Sequence, residues 1–145
     1  MPADSDPTPN ASIAQLLLQE VWSTGDLPLI DELVADEYVH HDPVVEEPIR
    51  GRDALKEAVA DLREGMPDLR KAIDETFIDG EMVILTYTAS GTHAGEILGV
   101  SPTDRPVEFD GVCVSRVDGD KLVETTDIWD AYGLLDQVGA LPEVE

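Results

Sequence analysis

The stretch Leu122–Leu135, LVETTDIWDAYGLL, decides how the chain is read. Its β-favouring residues predict a strand over Leu122–Trp129, followed by a short helix over Ala131–Val138 that Gly139 ends. Two carboxylates interrupt this apolar run, Asp127 and Asp130. A carboxylate buried on a strand is costly unless it is paired or hydrogen-bonded, so each needs a reason. Strand alternation puts Thr125, Asp127 and Trp129 on one face. Asp130 has the opposite parity and stands at the strand–helix junction, where it fits a helix cap.

Working back from this stretch, Asp118-Gly119-Asp120 predicts a hairpin with a strand over Val107–Val117. A turn that sets residue 117 near 121 sets 113 near 125 and 111 near 127, so Cys113 and Gly111 flank Asp127. Asp79-Gly80 predicts another hairpin, between strands over Leu69–Ile78 and Met82–Thr92. A loop rich in Gly, with Pro102, joins Thr92 to Val107.

The first half reads differently. Ile13, Leu17 and Val21 recur every fourth residue, predicting a helix from near Ile13, capped by Asn10 or Ser12 and stopped by Gly25. Asp26 fits the cap of a second short helix whose apolar side is Leu29, Ile30, Leu33 and Val34. Tyr38–Pro43 reads as a short extended piece stopped by proline. Leu55, Val59 and Leu62 mark one face of a helix over Arg52–Gly65. Residues 1–11 are polar and proline-rich, and read as a disordered lead-in to a single domain over residues 12–145. Helices followed by a run of antiparallel strands is the α+β layout. It predicts a cone-shaped, curved antiparallel sheet with helices packed on its concave face and a pocket between them.

Charge and length bound the function. The chain has 145 residues and a hydrophobic fraction of 42%, enough for one core. It carries 32 acidic and 9 basic residues, a formal net charge of −23 spread along its length. Scattered acids fit a solvated surface suited to high salt better than a directed patch for a cationic partner. Binding to nucleic acid or to an anionic membrane is disfavoured, because both need basic footprints. With Cys113 as the single cysteine there is no internal disulfide. The N-terminus has neither the basic nor the apolar segment of a secretory signal, and a cytoplasmic protein is the simple reading. There is no phosphate loop, dinucleotide fingerprint or nucleophile elbow.

Several pieces together carry a family resemblance. They are Gly25-Asp26-Leu27 with Ile30–Leu33, Tyr38–Pro43, Met66–Leu69, Gly91–Thr103, and Asp118–Glu124 through Gly133-Leu134-Leu135 and Gly139. In order and spacing, over about residues 13–141, they resemble the SnoaL-like polyketide cyclase (ester cyclase) family of the nuclear transport factor 2-like superfamily. That resemblance implies a cone-like α+β fold, often paired into a homodimer through its sheet. It implies closure of polyketide rings by intramolecular aldol condensation, with an acid/base aspartate and neither metal nor cofactor. The family's aspartate corresponds to Asp127. Two positions depart from the pattern: Cys113 stands where many relatives have histidine, and Thr126 where they have tryptophan.

Each candidate has a functional and a bland role. Asp127 is either a general base in an apolar pocket or an ordinary surface carboxylate. His41 either lines the pocket mouth and polarises a carbonyl, or makes a structural hydrogen bond. His40 and His41 are adjacent on a strand and face opposite sides, so they do not easily chelate one metal ion. His93 sits in a loop over the pocket or in solvent. Tyr87 could donate to an oxyanion, or be a core tyrosine with a satisfied hydroxyl. Trp129 stacks on a flat substrate or packs, and Trp22 reads as core that borders the substrate. Cys113 is a small buried hydrophobe rather than a nucleophile. The ligand these residues suit is a small apolar carbonyl compound. A cyclase, another enzyme on the same cone (isomerase, dehydratase or hydrolase) and a non-catalytic ligand-binding module all stay open. The last predicts a filled pocket or an Asp127 tied up in a salt bridge.

Overall fold

Alternation of large apolar and polar side chains drives the second half of the chain into three long antiparallel pairings. The computed structural model describes residues 9–141. Strands β3 (Arg70–Asp79), β4 (Met82–Thr92), β5 (Pro106–Asp118) and β6 (Lys121–Trp129) pair in sequence order. Val83, Leu85, Tyr87 and Ala89 of β4 are buried, as are Val107, Phe109, Cys113 and Val117 of β5. Each large side chain so buried contributes roughly 1.5–3 kcal/mol relative to exposure. Gly80 (φ 60°) and Gly119 (φ 67°) turn the two hairpins in the left-handed region that side-chain-bearing residues avoid.

The sheet is larger than the expected run of antiparallel strands, and it is mixed. β1 (Val34–His41) lies parallel to β6, and the two-residue strand β2 (Ile49–Arg50) adds antiparallel beyond it, giving the order β2-β1-β6-β5-β4-β3. The extended piece expected at Tyr38 thus begins four residues earlier, and Val34 is its first residue rather than part of a helix. The β1–β6 pairing explains this: Val34, Tyr38 and His40 turn to the core beside Leu122 and Thr125.

Helices cover the buried face. α1 (Pro9–Leu16) runs on as a π-helical turn over Leu17–Trp22, burying Ala11, Ala14, Leu17, Leu18, Val21 and Trp22. Residues 9–11 therefore belong to this helix and not to a disordered lead-in; residues 1–8 lie outside the described residues. Asn10 and Ser12 fall inside the helix rather than at its cap. A 3-10 turn (Leu27–Leu29) leads into α2 (Ile30–Leu33), and Asp26 precedes it without a side-chain capping bond. α3 (Arg52–Gly65) buries Leu55 and Val59 as its periodicity predicts. Arg63 near its end donates to Trp22 O, Ser23 O, Leu69 O and Pro67 O at 2.6–3.2 Å, fixing the ends of three segments around one guanidinium. α4 (Ala131–Gln137) closes the chain, and Asp130 caps it by accepting from Gly133 N at 2.8 Å. Among the described residues no helix is long and apolar enough to cross a membrane.

Candidate active site

The register of the central hairpin sets the site. A bulge between Arg116 and Val117 shifts the pairing, so Cys113 lies opposite Asp127 and Gly111 opposite Trp129. This corrects the expected 113–125 and 111–127 pairs by two residues. A shift of two preserves parity, so Asp127, Trp129, Cys113 and Gly111 still share the inner face.

Gly111 is the gap that assembles the centre. Tyr87 on β4 pairs with Gly111 on β5. A Cβ at position 111 would lie 2.2 Å from Tyr87 Cζ, so the ring passes over the bare backbone. Its hydroxyl thereby reaches across β5 and donates to Asp127 Oδ1 on β6 at 2.8 Å. Gly111→Ala is expected to cost roughly 1–3 kcal/mol, because the ring must leave its rotamer and its acceptor. Urea denaturation checks this; a variant as stable as the parent would mean that the ring has room to move.

The second partner of Asp127 is Lys71, which the sequence reading did not single out. Its Nζ lies 3.6 Å from Asp127 Oδ2, 4.3 Å from the Trp22 ring centroid and 4.9 Å from that of Tyr87. Both ionic side chains are almost fully buried, at 3% and 6% exposure. Asp127 is therefore no lone carboxylate: it is hydrogen-bonded on one oxygen and ion-paired on the other. Ser23 clamps the backbone of Lys71, accepting from its N–H at 2.8 Å. The alternation Leu69, Lys71, Ile73 on a strand with one apolar face was the available signal for an inward lysine.

A cavity of about 270 Å³ opens against this pair. Trp22, Tyr87, Phe109 and Trp129 wall it with Ala58 and Leu62 of α3, and Ile97 and Leu98 lie on its loop side. Trp129 packs 5.2 Å from Phe109, centroid to centroid, and its Nε1 donates to both carboxylate oxygens of Asp42 at 3.1 Å. Trp22 is a wall of this cavity as well as core.

The histidines fall differently from the expectation. His40, not His41, borders the cavity. Tyr38 and His40 share the buried side of β1, which turns His41 to the other face, where its Nε2 lies 2.8 Å from Glu124. His40 Nδ1 is 3.1 Å from the Tyr38 hydroxyl. Burial, opposed by the Asp127 charge, holds the His40 pKa below its ordinary 6.5, so the ring is neutral at neutral pH. His93 does not border the cavity. It is 1% exposed and staples its own loop, with Nε2 3.2 Å from Val100 O and Nδ1 2.9 Å from Thr103 Oγ1. Only a protonated Nε2 can bond to a carbonyl, so Nε2 is the donor to Val100 O.

Two tyrosine hydroxyls and the thiol near Asp127 are held neutral. Burial first, and the Asp127 charge second, raise the Tyr87 hydroxyl far above its ordinary range, so it stays a proton donor. The same two causes keep Cys113 a thiol, which removes it as a nucleophile. Burial likewise keeps Tyr38 protonated.

Likeness to known proteins runs through the whole domain. No curated protein matches the chain. Among solved structures, a candidate SnoaL-like polyketide cyclase from Jannaschia superposes with a TM-score of 0.85 at 20% identity, covering 94% of this chain and 99% of its own. IdmH of Streptomyces antibioticus, a candidate polyketide cyclase, matches with a TM-score of 0.78 at 29% identity over 90% of this chain and 98% of its own. A candidate polyketide cyclase from Acidithiobacillus ferrooxidans matches with a TM-score of 0.80 at 30% identity, over 91% and 95%. These neighbours share the α+β, nuclear transport factor 2-like architecture. Residues 12–138 match the model of the SnoaL-like polyketide cyclases, and the chain belongs to that family.

Proposed function

We propose that the protein is an acid/base enzyme that closes a ring in a small, flat carbonyl compound by an intramolecular aldol step. The observation that carries this reading is the buried Asp127 carboxylate bordering an apolar cavity with aromatic walls. Asp127 takes a proton from the carbon next to one carbonyl, and the C–H electron pair becomes an enolate. The enolate carbon bonds to a second carbonyl carbon, and Asp127 returns the proton to the new alkoxide. Tyr87 holds Oδ1, and Oδ2, 3.6 Å from the Lys71 ammonium, is the oxygen that takes the proton. The cavity of about 270 Å³ lies at the small end of ligand pockets, which suits a compound of one or two rings.

Enolisation can be read without knowing the natural substrate. Incubated in D₂O with small aromatic β-diketones, the protein is expected to speed α-proton exchange well above buffer, as followed by NMR. A panel that binds saturably but exchanges at the buffer rate would overturn the enzyme reading. That outcome belongs to a non-catalytic ligand pocket, the reading favoured by the Lys71–Asp127 ion pair taken alone. Faster exchange without ring closure would point to an isomerase or dehydratase on the same centre.

The outer face of the sheet supports a homodimer. Phe77, Ile84 and Val114 lie side by side in register across β3, β4 and β5, and Ile128 stands nearby on β6. Phe77 is 49% and Ile128 52% exposed, an apolar patch at odds with so acidic a surface. Light scattering is expected to give twice the chain mass, and Val114→Asp to give the monomer; a monomeric parent would sink the pairing.

A further inference from the structure

We propose that Lys71 is the oxyanion partner of the Asp127 base, binding through its ammonium the enolate oxygen of the compound in the cavity. The inference rests on the acid/base reading above and adds to it the group that carries the negative charge once Asp127 has taken the proton.

Three features point to this role. The Lys71 side chain is 3% exposed, yet it borders the cavity. An ammonium has three N–H donors, and among the described residues Nζ donates no hydrogen bond. Its protein contacts are an ion pair at 3.6 Å, longer than a hydrogen bond, and two aromatic faces. The ammonium donors left without a protein acceptor open on the cavity, which Lys71 lines. An oxygen held there would satisfy them. The clamp from Ser23 to the Lys71 backbone fixes the base of the side chain, so the ammonium is positioned before a ligand arrives.

Charge accounting supports the assignment. Before reaction, the Lys71 cation is balanced by the Asp127 anion. When Asp127 takes the α-proton it becomes neutral, and the negative charge moves to the enolate oxygen. Lys71 then balances the enolate in place of the carboxylate. When the new alkoxide takes the proton back, the carboxylate charge returns to Asp127. The buried Lys71 cation thus faces one negative charge at every stage, on Asp127 or on the bound oxygen, and no step leaves it uncompensated.

The probe is 4-nitrophenol, whose phenolate mimics an enolate and absorbs at longer wavelength than the phenol. Asp127→Asn imitates the protonated base and frees Lys71 for an anionic oxygen. It is expected to bind 4-nitrophenolate at least tenfold more tightly than the parent and to keep the bound probe ionised at pH values where free probe is protonated. The double variant Lys71→Met with Asp127→Asn is expected to lose that gain. It buries no net charge, so it reports on Lys71 even if Lys71→Met alone fails to fold; circular dichroism checks each protein. Equal phenolate affinity in Asp127→Asn and the double variant would overturn the proposal. Saturable binding of neutral phenol by all variants, with its ionisation unmoved, would overturn Lys71 while leaving the cavity and the α-proton exchange test standing. Binding of neither form by any of them would overturn this proposal and count against an accessible cavity.

Discussion

Lys71→Met is expected to destabilise the protein by roughly 3–5 kcal/mol, enough to lower its melting temperature by about 10 °C. The substitution keeps the length of the stem but gives up the ammonium 4.3 Å from the Trp22 ring centroid. What it removes is the cation 3.6 Å from Asp127 Oδ2. Asp127 is 4% exposed, so little water can replace the lost partner, and the carboxylate is left with the Tyr87 hydroxyl and the Cys113 thiol. Taking one charge from a buried pair costs more than the pair was worth, because the survivor still carries its desolvation penalty.

The double variant Lys71→Met with Asp127→Asn tests that account. Asparagine keeps an oxygen acceptor for Tyr87 and has nearly the size of aspartate, so it creates neither a void nor an orphaned hydroxyl. Replacing a buried ion pair by neutral groups of similar shape is often neutral or stabilising. The double variant is therefore expected to recover most of the loss, within about 1–2 kcal/mol of the parent. A double-mutant cycle in urea reads the coupling directly. A loss below about 1 kcal/mol in Lys71→Met would show that water from the cavity solvates the carboxylate, and would return the pair to the class of surface bridges.

The sequence carried the long strands and hid the partners of Asp127, and the reason lies in the range of each interaction. Alternation over Met82–Thr92 is a local pattern, and that strand has the expected bounds. The cap at Asp130 was equally legible, since it bonds to a residue three positions on. The inward face of Asp127 followed from parity, and it survived the bulge at Arg116 because a two-residue shift leaves every side chain on its side. The bulge itself has no sequence signature here.

What escaped depends on contacts between distant segments. β1 begins Val34-Ala35-Asp36-Glu37, which is not β-favouring, and it is a strand because β6 lies beside it. Which of two adjacent histidines turns inward was set by that pairing, so His40 took the place expected for His41. Lys71 and Asp127 come together from the two flanks of the sheet, with β4 and β5 between their strands. Nothing near Lys71 in the sequence marks it off from a solvent-facing lysine except its step of two from Leu69 and Ile73. Gly111 shows the same limit: a glycine within a strand signals close approach, but not that a tyrosine crosses it to reach a carboxylate.

Asp127→Asn is expected to slow α-proton exchange by about 10²–10⁴-fold, the usual contribution of a positioned general base. That range corresponds to roughly 2.7–5.5 kcal/mol of barrier. The amide keeps the shape of the carboxylate and the acceptor for Tyr87, so the cavity walls stay in place and binding of a neutral diketone should change little. The loss should thus appear in the rate at saturation rather than in the concentration needed to saturate. Tyr87→Phe separates proton transfer from positioning. It leaves the base in place but removes the 2.8 Å bond that fixes Oδ1, so its expected loss is smaller than that of Asp127→Asn. His41→Ala serves as the outer-face control, since His41 pairs with Glu124 on the opposite side of the sheet and should leave exchange unchanged. An Asp127→Asn protein that folds, binds the diketone and exchanges within threefold of the parent would remove Asp127 as the base. The cavity would then be a binding site in which the Lys71–Asp127 pair serves structure alone.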